Sequence, residues 1–180
     1  MKKNALFLDR DGVINERLPG DYVKSPEAFV FCQGVLEAIK ILSLHFQPVI
    51  VVTNQAGIGK GLMNEDDLKA IHDKMITEVA NAGGRIDAIY CCPNIPTDNS
   101  PCRKPDTGMG LQAQSDFPEI IFHNAWMVGD SLSDIEFGKR LGMKTALILG
   151  KIEEQAQHAA ITTDWKGNAL IDFSKTILPH

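Results

Sequence analysis

The chain has 180 residues, 44% of them hydrophobic, and a formal net charge of -5. That is enough material for one domain spanning 1-180 with a sizeable core. It leaves no basic surface for nucleic acid, and no apolar run approaches the roughly 20 residues of a membrane span. Met1-Lys2-Lys3-Asn4 runs straight into a short apolar stretch that ends in acids, unlike a secretion signal. Cys32, Cys91, Cys92 and Cys102 show no paired framework suited to export, so reduced thiols in a cytoplasmic monomer are expected.

Ala5-Leu6-Phe7-Leu8 reads as a buried strand that opens at Asp9-Arg10-Asp11-Gly12 into a loop. Two carboxylates two residues apart repel by about 4 kcal/mol at about 4 Å and an effective dielectric near 20, a conflict that a metal cation removes. Asn15 to Phe31 is too short for an inserted domain and reads as a loop or flap over the strand tip. Val35, Leu36, Ile39 and Leu42 fit a helix ending near His45, and Val49-Ile50-Val51-Val52 a buried parallel strand with Thr53-Asn54-Gln55 at its tip. Gly57, Gly59 and Gly61 suggest an open loop. Asn64 with Asp67 then caps a helix running to about Ala82.

Ile86 to Cys91 is a third strand, followed by a Pro- and Asn-rich loop from Cys92 to Pro105 and a helix from Gly108 to Phe117. Ala125 to Val128 gives a fourth strand ending in Gly129-Asp130, Ser131 caps a helix through Leu141, and Lys144 to Leu149 forms a fifth strand. Beyond Gly150 the polar tail shows only weak helical patterning. Alternating strands and helices predict an α/β fold, a mostly parallel open sheet covered on both faces. Cys91 and Cys32 read as small buried hydrophobes and Trp126 as core; Trp165 has no assignment, and the histidines lack ligand spacing.

Parallel strands put their C-terminal tips on one edge, where Asp9, Asp11, Thr53, Asn54, Arg103, Lys104, Asp130 and Asp134 can meet. Acids for a hard divalent cation, a hydroxyl and an amide for phosphate oxygens, and an ammonium to offset negative charge suit phosphoryl transfer to an aspartate. Asp130 and Asp134 taken alone fit equally well as helix-start and helix-surface charges. A P-loop reading of the glycines around Lys60 fails, because Asn54 and Gly61 stand where that motif needs a glycine and a Ser or Thr.

DRDGVIN at Asp9 to Asn15, VVTNQAGI at Val51 to Ile58, CRKP at Cys102 to Pro105 and VGDSLSD at Val128 to Asp134 resemble the haloacid dehalogenase superfamily of Mg²⁺-dependent phosphatases. The match extends from about Leu6 to Leu149. It is nearest the capless branch that acts on heptose 1,7-bisphosphate or histidinol phosphate. The resemblance implies a Rossmann-like sheet without a cap domain, Asp9 as nucleophile, Asp11 as general acid and base, and Thr53, Asn54 and Lys104 around the phosphoryl group. It further implies Mg²⁺ on Asp9, Asp130 and the Asp11 carbonyl, with Asp134 in support and Arg103 facing a small phosphorylated substrate. A phosphoacceptor signalling domain shares the strand-tip acids but has no use for Asp11 two residues after the nucleophile.

Several positions depart from the branch. Its third-strand loop binds structural zinc through three Cys and one His; here Cys92 and Cys102 remain while Asn94 and Ser100 replace ligands, so zinc is not expected. Ala56, Lys60 and Ser131 stand where the branch has Ser, Arg and Lys. Gly108-Met109 after CRKP resembles the heptose enzymes, and Arg103 with Lys60 could meet a second phosphate. Heptose bisphosphate is therefore the expected substrate, and histidinol phosphate the alternative.

Overall fold

A computed structural model describes residues 4-150 and 160-177. Met1-Lys2-Lys3, residues 151-159 of the tail for which weak helical patterning is expected, and His180 lie outside the described residues. Six strands form one parallel sheet in the order β3-β2-β1-β4-β5-β6. They are β1 (Asn4–Leu8), β2 (Phe46–Asn54), β3 (Ala88–Cys92), β4 (Trp126–Gly129), β5 (Lys144–Ile148) and β6 (Trp165–Gly167). β1 lies at the centre, between β2 and β4. The strand order reverses beside it, which is where open α/β sheets leave a crevice.

Side-chain alternation along the strands divides the core in two. Leu6 and Leu8 of β1, Val49 and Val51 of β2, and Trp126 and Val128 of β4 face one layer with α1 (Val35–His45) and α3 (Glu65–Asn81). Ala5 and Phe7, Ile50 and Val52, and Met127 face the other layer, which holds Met109 and Ala113 of α4 (Gly108–Asp116) and Phe137 of α5 (Leu132–Arg140). Both faces are covered, as the alternation of strands and helices predicted. The α3 start follows the sequence as well: Asn64 Oδ1 accepts from Asp67 N–H at 2.8 Å, and Asp67 Oδ2 accepts from Asn64 N–H at 2.9 Å.

Other expectations need correction. β2 begins at Phe46 and takes in Pro48, which cannot donate to the ladder; the register with β1 slips between Asn4 and Leu6, opposite that proline. The glycine run after Gln55 is not open loop but one helical turn, α2 (Ala56–Gly59), closed by Lys60 N–H to Ala56 C=O and tied by Gly59 N–H to Pro93 C=O. Cys91 is exposed and Cys32 half-buried, not core. Reduced thiols were expected throughout, yet Cys92 and Cys102 are joined as a disulfide. The ten-residue separation hid a pairing made when the loop turns back on the end of β3.

The tail is the largest departure. β6 is three residues long and lacks an apolar run, so nothing in its pattern marks a strand; pairing with β5 and the Asp164 carboxylate, which accepts from Thr145 N–H at 2.7 Å, make it one. The helix α6 (Leu170–Thr176) drives Leu170 and Phe173 into the first core layer. Phe173 meets both Trp126 and Trp165 edge-on, at 5.2 and 5.3 Å between ring centroids. Phe173→Ala is expected to cost about 3–5 kcal/mol, read as a lower urea midpoint; an unchanged midpoint would remove the tail from the core.

Candidate active site

The loop after β1 is wound around one carbonyl. Arg10 C=O accepts from Ile14 N–H at 2.8 Å and Asn15 N–H at 3.1 Å, and Gly12 takes φ 87° to make the turn. A Cβ at Gly12 would stand 2.0 Å from Asp130 Oδ2. A side chain there would occupy the space of the Asp130 carboxylate. Gly129 does the same for Asp134, whose Cβ would be 2.1 Å from an added Cβ. The two glycines next to the acidic motifs let carboxylates from β4 and α5 close on the tip of β1.

Lys104 sits at the centre of the result. Its Nζ is 2.7 Å from Asp9 Oδ1 and 2.6 Å from Asp134 Oδ1, and donates to Val52 C=O at 2.7 Å. Burial lowers the pKa of this ammonium, but the Asp134 and Asp9 charges raise it further, so it stays protonated. Asn54 fixes its backbone on both sides, accepting from Lys104 N–H at 3.0 Å and donating to Lys104 C=O at 3.1 Å. Asp134 Oδ2 also accepts from Ser131 N–H and Oγ, at 3.1 and 2.6 Å, closing the start of α5.

Asp9, Asp130 and Asp134 each bring one carboxylate oxygen within 4.8 Å of the others. Burial pushes Asp9 up to about 7, with the Asp134 charge adding to it and Lys104 only partly offsetting it. Burial, then Asp9 and Asp134, push Asp130 up to about 8. Three buried carboxyl groups gathered around one ammonium are short of positive charge, and hard oxygen donors in this arrangement fit a small divalent cation.

Asp11 has a different setting. Its Oδ1 accepts from Arg10 Nη2 and Asn15 Nδ2, both at 3.0 Å, and its Oδ2 from Gln55 Nε2 at 2.8 Å. Burial works to raise it, but the Arg10 charge and the three donors outweigh burial and hold it below the usual carboxylate range. Arg10 is fully buried, reaching Gln55 Oε1 at 3.2 Å and His72 Nε2 at 3.3 Å. Sequence reasoning assigned no task to Arg10, Asn15, Gln55 or His72. The available signal was a row of polar residues, Arg10, Asn15 and Gln55, inside two strand-tip motifs where solvent alone would not require them.

The crevice above these groups has a volume of about 430 Å³. Asp9, Asp11, Asn54, Arg103, Lys104, Asp130 and Asp134 all line it. Thr53 is the exception among the expected residues: it is buried, and its Oγ1 accepts from Gln55 Nε2 at 2.8 Å. Arg103 donates from Nη1 to Asn94 C=O at 3.0 Å. In the loop before it, Asn94 Oδ1 lies 3.7 and 3.5 Å from Cys92 and Cys102 Sγ, and Ser100 Oγ 3.2 Å from Cys102 Sγ.

Comparison with known proteins places this geometry. A family model described as HAD-hydrolase-like matches residues 101–172. The D-glycero-alpha-D-manno-heptose-1,7-bisphosphate 7-phosphatase of Burkholderia mallei is 42% identical over 156 residues, 83% of this chain and 81% of that protein. The beta-anomer 7-phosphatase of Neisseria meningitidis is 36% identical over 177 residues, 96% and 94% of the two chains. The crystal structure of the D,D-heptose 1,7-bisphosphate phosphatase of B. bronchiseptica, complexed with magnesium and phosphate, superposes with a TM-score of 0.89 at 32% identity, covering 97% of each chain. The chain belongs to the haloacid dehalogenase-like phosphatases, in the family of the heptose-1,7-bisphosphate 7-phosphatases.

Proposed function

We propose that this phosphatase removes the C7 phosphate of a D-glycero-D-manno-heptose 1,7-bisphosphate, with Asp9 as nucleophile. The observation that carries the reading is the buried Lys104 ammonium held between Asp9 and Asp134 beside a third acid, Asp130. A carboxylate approaches a phosphate dianion only where fixed cations offset the repulsion. Magnesium, held by Asp9, Asp130 and the Asp11 carbonyl, would supply further neutralisation of the phosphoryl oxygens.

The chain's own groups then divide the work. Asp9 attacks phosphorus as the ester P–O bond breaks, and Asp11 delivers a proton to the leaving oxygen. Asp11 next takes a proton from the water that attacks the aspartyl-phosphate, and Asp9 is released. The Arg10, Asn15 and Gln55 contacts hold free Asp11 in its base form, as the second step needs. For the first step, phosphate charge close by works against Arg10 and favours the protonated acid. Asn54 acts by positioning Lys104, and Thr53 by orienting Gln55 beneath Asp11. Asp134 supports the site through its ion pair with Lys104.

Zinc has no place in this reading. Joined Cys92 and Cys102 sulfurs, an amide and a hydroxyl do not form the thiolate and imidazole set that zinc takes.

Asp9→Asn is expected to abolish phosphate release while leaving the melting temperature near that of the parent protein, and Asp11→Asn to lower kcat by about 10²–10⁴. Retained turnover in either variant would displace that residue from its role. Between heptose 1,7-bisphosphate and histidinol phosphate supplied at equal concentration, the heptose ester is expected to be consumed first. A higher kcat/KM for histidinol phosphate would reverse the substrate assignment.

The raised carboxylates also give a pH dependence. Between the ordinary aspartate value of 3.8 and about 8, the metal-free native site binds more protons than the unfolded chain, so that contribution to stability is present at low pH and lost as pH rises through 7 and 8. His72, pushed down to about 4 by burial and Arg10, acts oppositely, but only below its ordinary 6.5. Melting in a chelator should therefore fall from about pH 6.5 to about pH 8.5, and the gain from added Mg²⁺ should be larger at the upper end. A magnesium gain independent of pH would place the cation away from Asp9 and Asp130.

A further inference from the structure

The crevice has a basic residue that the reaction above does not use. Arg17 lies on the flap after Asn15, with its side chain 57% exposed, and lines the same crevice as Asp9 and Lys104. The flap is anchored around it: Glu16 N–H donates to Val30 C=O at 2.8 Å, and Val23 and Phe29 are buried in the core. Its guanidinium meets Asp130 Oδ2 at 3.3 Å.

The other cations of the crevice are held by partners other than Asp130. Arg10 is fixed by Asp11, Gln55 and His72, Arg103 by Asn94 C=O, and Lys60 lies 5.3 Å from the centre of the Tyr22 ring. Lys104 is enclosed by Asp9, Asp134 and Val52. Arg17 meets the acid cluster that fits a divalent cation through Asp130, and it differs from Lys104, which is buried among the same acids, in having an exposed side chain that is free to turn.

We propose that Arg17 is a specificity residue that exchanges partners: it pairs with Asp130 while the cluster lacks a metal, and on metal binding it turns into the crevice to take the substrate phosphate that is not transferred. This inference rests on the bisphosphate reading above. A dication on Asp130 cancels the attraction that holds Arg17 there and repels the guanidinium. Inside the crevice an anion is the partner that restores its compensation, and the planar fork of N–H donors matches two phosphate oxygens at once. A bisphosphate supplies that second anion; a simple monoester does not. Metal loading thus prepares the distal subsite before substrate arrives.

The test compares Arg17→Gln and Arg17→Lys with the parent enzyme. In Arg17→Gln, the ratio of kcat/KM for heptose 1,7-bisphosphate over p-nitrophenyl phosphate should fall by at least about tenfold, with Arg17→Lys between the two. Without substrate, titration calorimetry should show Mg²⁺ binding more tightly to Arg17→Gln, since a competing cation has gone. With Mg²⁺ present, α-D-mannose 1-phosphate, which carries an anomeric phosphate and no other, should bind more weakly to that variant, and inorganic phosphate should not. An unchanged selectivity ratio in a parent enzyme that prefers the bisphosphate would overturn the Arg17 assignment alone. Equal losses on both substrates would also overturn it, by moving Arg17 to the reacting phosphate. A parent enzyme with no preference for the bisphosphate would overturn the substrate reading and this inference with it.

Discussion

Burying the Lys104 ammonium between two carboxylates is the constraint on which the rest of the site depends. A lone buried ammonium costs several kcal/mol even after relaxation, so Lys104 is tolerable there only with carboxylate charge beside it. Asp9 comes from the end of β1, Asp134 from the first turn of α5, and Lys104 from the loop after β3. The pairing ties together three segments that are distant in sequence, and it does so at Asp9, the proposed nucleophile. Truncating Lys104 would leave Asp9 and Asp134 facing each other with no charge between them.

The surrounding charges are graded rather than neutralised. Arg10 and its neighbours hold Asp11 ionised, while burial and the Asp134 charge push Asp9 toward the neutral form, and burial with the Asp9 and Asp134 charges does the same to Asp130. Two aspartates two residues apart thus have opposite tendencies. One faces a wall of fixed donors and the other a space short of positive charge. That separation is what the proposed nucleophile and its proton donor and acceptor require, and it arises because Asp9 meets Lys104 while Asp11 meets Arg10, Asn15 and Gln55.

Sequence patterns carried the parallel sheet well because its strands are apolar runs ending in polar tips, and because parallel pairing gathers those tips on one edge. Asp9, Asp11, Asn54, Arg103, Lys104, Asp130 and Asp134 were legible for that reason. Thr53 was read from its place in the motif, but burial turns its hydroxyl to Gln55. The buried Arg10 was illegible because an arginine between two aspartates looks solvated until its partners, Gln55 and His72, are brought in by β2 and α3. β6 and Phe173 were illegible for a similar reason: their role comes from what they pack against, not from any local period.

The loop carrying Arg103 and Lys104 is held by several independent links. One is the Cys92–Cys102 bond, a link of a kind worth about 2–4 kcal/mol. Such a bond is rarely kept in a reducing compartment. Lys104 does not rely on it. Asn54 holds the lysine backbone from both sides, Arg103 spans the loop to Asn94 C=O, and Gly108 N–H closes onto Pro101 C=O at 2.9 Å. If the sulfur link opened, those four hydrogen bonds and the ion pairs of Lys104 would remain. The two retained cysteines therefore bear on how tightly the loop is held, and Asn54 on where the ammonium sits.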